Sequence, residues 1–335
     1  MPHELRVAVI GAGSWGTTVA NLASRNAPTL LWARRPEVAD EINDEHTNSR
    51  YLPDLRLHRR LHATSDLAEA ASSADVIVMG VPTHGFREIL AEAAPHVRPW
   101  VPVLSLSKGF EQGSLLRMTQ IVGEVLPDRP VGTLTGPNIA REIVAGQAAA
   151  AVVGMEQPEV AASLQKVFAS GLFRVYTNDD VIGCEVGGAL KNVIAIATGV
   201  GEGLGVGDNT RAMVLTRGLA ELTRLGVAMG GRAETFAGLA GMGDLVATCM
   251  SPHSRNRTLG ERLGRGETLE DIMGTTHQVA EGVKTARLVM DLAEQYGVDM
   301  PIHSEIHGMI HHGRSGMEAY RGLVTVAPRT EADAG

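Results

Sequence analysis

Gly11, Gly13 and Gly16 spell G-x-G-x-x-G directly after the apolar run ending at Ile10 and before the helical segment Thr17 to Ser24. The first glycine permits a tight turn, the second lets the backbone approach a pyrophosphate, and the third lets strand and helix pack closely. The helix N-terminus then faces the anion. The motif is common by chance in loops, but between a strand and a helix at the start of a chain it points to a dinucleotide. About 20 residues further on, an acidic residue usually binds the adenosine ribose of NAD. This chain has Arg34 and Arg35 there. Two guanidiniums and no carboxylate suit a ribose 2′-phosphate, so NADPH is expected in preference to NADH. The bland alternative is a solvated surface pair; Asp40 and Glu41 come too late in the sequence to take the missing carboxylate's place.

Lys108 follows the apolar segment Val101 to Leu106, which places it at the carboxyl end of a strand, the edge where open α/β sheets bind ligands. An exposed lysine at a strand end is the alternative. Thr135-Gly-Pro-Asn-Ile-Ala140 reads as a second strand-to-helix turn, in which Gly136 allows close approach and Pro137 presets a helix start. Lys191 stands in Gly187-Gly-Ala-Leu-Lys-Asn-Val-Ile-Ala-Ile196, an otherwise apolar and small-residue helix. Burial draws an ammonium toward neutrality, as a general acid/base for a carbonyl and alcohol pair requires. A lysine snorkelling to the surface is the competing reading.

Ser254-Arg-Asn-Arg257 concentrates donors suited to a phosphate, with Arg255 able to grip it bidentately and Ser254 and Asn256 adding neutral donors. Taken alone, a basic, solvent-exposed helix start would be the better reading. Asp244, in the glycine-rich loop before it, could orient a lysine, accept from a substrate hydroxyl, or form a simple Asx-turn. His303, His307 and His311 share one helical face like a row of metal ligands, but no carboxylate or cysteine completes a site, and a solvated or interface stripe is expected instead. No metal is expected. Without a nucleophile elbow, a Cys-His pairing or a P-loop, hydride transfer is the best-supported chemistry.

The elements that position these residues follow from the pattern. Short β-branched runs alternate with helical segments through the first half, predicting strands at Arg6–Ile10, Thr29–Trp32, Val76–Val81, Val101–Leu106, Gly132–Thr135, Ala149–Val153 and Phe173–Tyr176. From about Asp180 the reading is helical: Cys184–Ala197, Arg211–Leu225, Ala233–Leu239, Leu269–Met273, Lys284–Tyr296 and Ile302–Met309. The fold class is therefore α/β: an N-terminal Rossmann-type parallel sheet domain (1–180), a mainly α-helical C-terminal domain (181–325) and a frayed tail (326–335).

The chain has 335 residues, a formal net charge of −8 and 44% hydrophobic residues, which excludes a mostly disordered polymer and disfavours non-specific binding of nucleic acid. Its uninterrupted apolar stretches fall short of the roughly 20 residues of a membrane span. Met1 leads straight into a strand pattern, so no signal peptide is expected. Cys184 and Cys249 have no ligand spacing and fit a reducing compartment. The expected location is the cytoplasm.

Taken together, Gly-Ala-Gly-Ser-Trp-Gly16, Ser-Lys-Gly109, Thr-Gly-Pro-Asn-Ile-Ala140, Gly-Gly-Ala-Leu-Lys-Asn-Val-Ile-Ala195, Ala-Gly-Met-Gly-Asp-Leu245, Ser-Arg-Asn-Arg257 and Gln-Val-Ala-Glu-Gly282 closely resemble the bacterial NAD(P)-dependent glycerol-3-phosphate dehydrogenases, from about Leu5 to about Gly313. The resemblance implies reversible reduction of dihydroxyacetone phosphate to sn-glycerol 3-phosphate, the backbone precursor of phospholipids, by a homodimer. It implies that Ser14, Trp15, Arg34 and Arg35 contact the nucleotide, with Ala140, Arg255, Val279 and Glu281. Lys108 would serve cofactor and substrate, and Lys191 would be the proton acceptor in the oxidative direction. Gly136, Asn138, Lys191, Asp244, Ser254, Arg255 and Asn256 would line the substrate site. Asn138 departs from the Ser or Thr of many members.

Two rivals remain at the level of sequence. A β-hydroxyacid dehydrogenase also joins a dinucleotide domain to a helical domain with a lysine on its first helix, but Ser254 to Arg257 favours a phosphorylated ketone. A catalytically silent nicotinamide-binding sensor would need neither Lys191 nor a phosphate cluster.

Overall fold

In a computed structural model, residues 5–275 and 281–324 are described. Val279 and the expected frayed tail lie outside them. The described residues divide into a unit ending at Val181 and a second beginning at Ile182.

The first unit is built on β1 (Val7–Ile10), β2 (Thr29–Trp32), β3 (Leu61–Thr64), β4 (Val76–Met79), β5 (Val103–Ser105), β6 (Val131–Thr135), β7 (Ala149–Met155) and β8 (Phe173–Asn178). They form one sheet in the order β3-β2-β1-β4-β5-β6-β7-β8. Between them run α1 (Ser14–Ala23), α2 (Pro36–Glu45), α3 (Leu67–Ser73), α4 (Thr83–Ala93), α5 (Met118–Val125), α6 (Ala140–Val144) and α7 (Pro158–Phe168). Every residue of β1 and β4 is buried, because helices cover both faces of the sheet. Val7 and Val9 pack with α1, α2 and α7 through Val19, Ile42 and Phe168. Ala8 and Ile10, pointing the other way, pack with α3, α4 and α5 through Leu67, Phe86 and Ile121.

The sheet departs from the wholly parallel expectation at β7, which pairs antiparallel with β6 before β8 resumes parallel pairing with β7. The connection there carries only the five-residue α6, and the chain returns alongside β6 in the opposite direction instead of crossing over. β3 was not expected from the sequence. It is an edge strand whose Leu61 and Ala63 are buried while His62 is exposed, so it lacks the continuous apolar run of the inner strands.

The second unit is helical: α8 (Val181–Gly203), α9 (Asp208–Ala228), α10 (Ala233–Phe236), a π-turn at Leu239–Gly243, α11 (Asp244–Met250), α12 (Arg255–Gly264), α13 (Leu269–Thr275), α14 (Glu281–Tyr296), α15 (Pro301–His312) and α16 (Gly316–Val324). The α11 segment, expected as a glycine-rich loop, is helical; the donor cluster opens a helix, α12, as its alternative reading held; and α16 was not expected. α8 matches a membrane-crossing helix in length and composition, although its uninterrupted apolar stretches are short, and 94% of its most apolar window is buried inside the protein. It is the core helix of this unit, and no other described helix meets that length and composition.

Candidate functional site

In the first unit the dinucleotide motif forms the turn its spacing predicts. Gly11 has φ +119°, and a Cβ there would stand 2.7 Å from the carbonyl oxygen of Gly80. A Cβ on Gly16 would stand 2.0 Å from the carbonyl oxygen of Gly11, so strand and helix could not close. Gly13 differs: a Cβ there would meet no protein atom within 4 Å. Packing therefore does not require glycine at 13, whereas backbone approach by a ligand does. Gly13 is the N-cap of α1 and makes no side-chain cap bond, so the first-turn amides of Ser14, Trp15 and Gly16 have no capping side chain and suit an anion. These features fit a dinucleotide pyrophosphate.

Arg34 and Arg35 lie exposed just beyond β2. Arg35 forms a 3.7 Å ion pair to Glu37, with the two side chains 53% and 68% exposed, an interaction worth little. Glu41 cannot supply the missing ribose carboxylate, because it accepts from the Thr47 hydroxyl at 2.7 Å and the Ser49 amide at 2.6 Å.

Lys108 and Gly136, at the carboxyl ends of neighbouring strands, come together: Lys108 Nζ donates to the Gly136 carbonyl at 3.0 Å. Gly136 has φ +124°, which favours glycine. α6 begins at Ala140 and not at Pro137, which sits in a bend, so the expected proline helix start is corrected. The turn instead holds Asn138 with both side-chain polar atoms buried and unpartnered; the indole nitrogen of Trp15 is in the same condition. Buried polar groups without partners are costly, and groups meant for a ligand are one reason they persist.

The second unit carries the acid/base candidate. Lys191 is buried at 5% exposure, not snorkelling. Its Nζ donates to Asp244 Oδ1 at 2.5 Å and to Thr248 Oγ1, and Thr248 Oγ1 donates to Asp244 Oδ1 at 3.3 Å. An ammonium has three donors. Asp244 and Thr248 take two, which leaves one for a substrate oxygen.

Glycines make this meeting possible. A Cβ on Gly187 would lie 2.5 Å from the Ala240 carbonyl oxygen, and one on Gly241 would lie 2.1 Å from the Phe236 carbonyl oxygen. One turn after each close approach stand Lys191 and Asp244 in turn, so the tight packing of α8 on the π-turn sets them opposite one another. Asp244 is accordingly the first residue of α11 and not a loop residue forming an Asx-turn. Thr248 was missed by sequence reasoning; its signal was its place four residues after Asp244, on the same helical face.

Much of the expected phosphate cluster is engaged within the protein. Ser254 is the N-cap of α12, its Oγ accepting from the Arg257 amide at 3.3 Å. Asn256 donates from Nδ2 to Asn192 Oδ1 at 2.9 Å, and its Oδ1 accepts from the Gly282 amide at 3.0 Å. Arg257 is spent on Glu202 and on the Ser251 carbonyl, the latter at 3.0 Å. Arg255, the first residue of α12, is exposed. The same bonds tie Asn192, next to Lys191, through Asn256 to Gly282 beside Glu281 at the start of α14. Asn192 was not singled out from the sequence.

The histidine row is broken. His303 is fully buried, its Nδ1 2.7 Å from Glu221 Oε2. Glu221 also accepts from the amide of Ile302 at 2.7 Å and from that of His303 at 3.3 Å, which caps α15. His307 stacks near His311 and His312, with ring centroids 4.9 and 5.0 Å apart. Burial first, then those neighbouring imidazoles, holds His307 below the usual value. Among the described residues no group of His, Cys, Asp or Glu is placed to hold a metal ion.

Comparison with known proteins finds two family models that match successive parts of the chain: the N-terminus of NAD-dependent glycerol-3-phosphate dehydrogenase over residues 6–161 and its C-terminus over residues 180–321. A glycerol-3-phosphate dehydrogenase [NAD(P)+] of Sphingopyxis alaskensis is 57% identical, with 99% of this chain and 100% of that one covered. One from Mycobacterium avium is 55% identical over 98% of this chain and 97% of its own. A crystal structure of glycerol-3-phosphate dehydrogenase from Coxiella burnetii superposes with a TM-score of 0.92 at 34% identity, covering 97% of this chain and 100% of that one.

Proposed function

Because the chain belongs to the NAD-dependent glycerol-3-phosphate dehydrogenase family, we propose that it reduces dihydroxyacetone phosphate reversibly to sn-glycerol 3-phosphate with NADPH or NADH, through the Lys191 ammonium. The observation that carries the proton-transfer role is the buried Lys191, held by Asp244 and Thr248 with one donor unspent. When bound, the nicotinamide would supply the hydride that the carbonyl carbon requires. Lys191 gives a proton to the developing alkoxide oxygen, and takes it back in the oxidative direction. Asp244 keeps the ammonium aimed and compensates its charge where water is excluded.

The backbone of Gly11, Gly13, Ser14, Trp15 and Gly16 holds the pyrophosphate, and Arg34 and Arg35 favour a 2′-phosphate, hence NADPH. Ala140, Val279 and Glu281 complete the nucleotide contacts, and Lys108 and Arg255 serve nucleotide and substrate alike. Gly136 and Asn138 approach the substrate. Arg255 grips the substrate phosphate, so remote binding energy orients the ketone. Asn256 contributes its second amide N–H, while Ser254 acts mainly by capping α12. The enzyme works in the cytoplasm as a homodimer, and its product supplies the glycerol backbone of phospholipids.

Nicotinamide absorbance decay tests this reading, with dihydroxyacetone phosphate and unphosphorylated dihydroxyacetone compared side by side. Decay that requires the phosphate supports it. No decay with either cofactor in folded protein would sink it and turn attention to β-hydroxyacids.

A further inference from the structure

The amino edge of the sheet, opposite the edge that carries Gly11, Arg34 and Lys108, has a cavity of about 460 Å³ where β1, β2 and β3 begin. That volume lies in the range of small-molecule sites. Arg6, Arg60 and His62 line it, over an apolar floor that includes Val7, Ala27 and Leu30. The polar groups of the wall divide sharply in what they can offer. Ser24 Oγ already donates to the Asn21 carbonyl at 3.0 Å, Thr29 Oγ1 to the Ala27 carbonyl at 3.0 Å, and Ser73 Oγ to the Ala70 carbonyl at 3.1 Å. Of the donors left over, those of Arg6 and Arg60 are cationic.

Arg60 is fixed at the wall by a bond from Nη2 to the Arg25 carbonyl. Among the described residues, none of Arg6, Arg25, Arg59 and Arg60 has a carboxylate partner for its guanidinium. Asp75, the nearby acid, is taken by the Arg6 amide at 2.9 Å and by Arg98 at 2.6 Å. The crowding of positive charge is felt by His58, which burial first and then Arg25, Arg60 and Arg59 hold below the usual imidazole value. In a chain of net charge −8, two of these arginines, Arg6 and Arg60, line the same concave site.

We propose that this cavity is a second ligand site, which takes a phosphate monoester bearing a short apolar body. The guanidiniums of Arg6 and Arg60 hold the dianion, since planar forks match phosphate oxygens, and the apolar floor holds the body. The concave shape favours a free small molecule over a membrane surface.

Isothermal titration of the intact chain with n-octyl phosphate tests the site, with inorganic phosphate and octanol as the two half-probes. The comparison is between wild type, the Arg6→Gln/Arg60→Gln double variant and Arg59→Gln, which lies outside the lining. Octyl phosphate should bind roughly tenfold or more tightly than either half-probe, and the double variant should lose roughly tenfold or more in affinity while Arg59→Gln does not. Turnover of dihydroxyacetone phosphate and the melting temperature should be unchanged in the variants, which separates failure of this site from failure of the catalytic reading. Binding that ignores Arg6 and Arg60, including binding at the catalytic phosphate site, would overturn the proposal. Equal affinity for inorganic phosphate would do the same. Sedimentation with phosphatidylglycerol vesicles that depends on these arginines would assign the patch to a membrane surface instead.

Discussion

Lys191 and Asp244, 53 residues apart in sequence, meet at 2.5 Å with side chains 7% and 1% exposed. A pair so deeply buried is a poor stabilising device, because desolvation offsets most of its attraction. In the proposed mechanism the pair serves instead to preorganise an ammonium for a carbonyl oxygen.

Asp244→Asn removes the compensating charge while keeping the shape. The kcat should fall on the order of 10²-fold with the KM for NADPH unchanged, since Asp244 acts through Lys191 and not on the nucleotide. Urea unfolding should also show a loss of about 3–5 kcal/mol, the usual cost of stranding a buried charge. Unchanged kcat in a stable variant would contradict this.

The glycines of the dinucleotide turn should separate cleanly. Gly16→Ala pushes a Cβ to 2.0 Å from a carbonyl oxygen and should cost about 1–3 kcal/mol of stability or more, read by thermal melting. Gly13→Ala meets no protein atom, so the melt of the free protein should barely move while the KM for NADPH rises roughly tenfold or more. Equal stability losses at both positions would remove the basis for placing the pyrophosphate at Gly13.

Cofactor preference should follow Arg34 and Arg35. Replacing both with Ala should raise the KM for NADPH roughly tenfold or more and leave that for NADH within about twofold, because NADH has no 2′-phosphate to lose. Parallel changes with both cofactors would return the arginines to the surface.

Burial pushes the Cys249 thiol from 9.0 up to about 11, ahead of opposing effects from Thr198 and Lys191. A raised folded value means the native state holds this proton more tightly. Its stabilising contribution is full below pH 9 and is lost as pH rises through about 11. At pH 8 the thiolate fraction falls about 10²-fold on folding, so iodoacetamide should label Cys249 about 10²-fold more slowly in native than in urea-unfolded protein. Equal labelling by mass spectrometry would contradict this burial.

What was legible in the sequence was mostly local. The roles of Gly11, Gly13 and Gly16 follow from one turn, and Lys191 stood out because a lysine is expensive in an apolar helix. The partner of Lys191 could only be guessed, since Asp244 reaches it through close packing at Gly187 and Gly241 that no spacing rule encodes. Thr248 was overlooked because a threonine within a helix carries little signal until the aspartate a turn earlier has a known partner. Ser254 and Asn256 were read as phosphate donors, yet a helix start also needs a cap, and a buried amide also needs partners; those demands consumed most of their capacity. His303 left its expected row because Glu221, on a helix distant in sequence, draws it inward.

The most direct test is the initial rate of NADPH oxidation with dihydroxyacetone phosphate by wild type and by Lys191→Met, which keeps the chain's bulk and removes the proton. The expected result is phosphate-dependent turnover in wild type, lowered by roughly 10²-fold or more in the variant while NADPH still binds. Turnover by Lys191→Met at the wild-type rate would contradict the role assigned to Lys191 and to the pair it forms with Asp244.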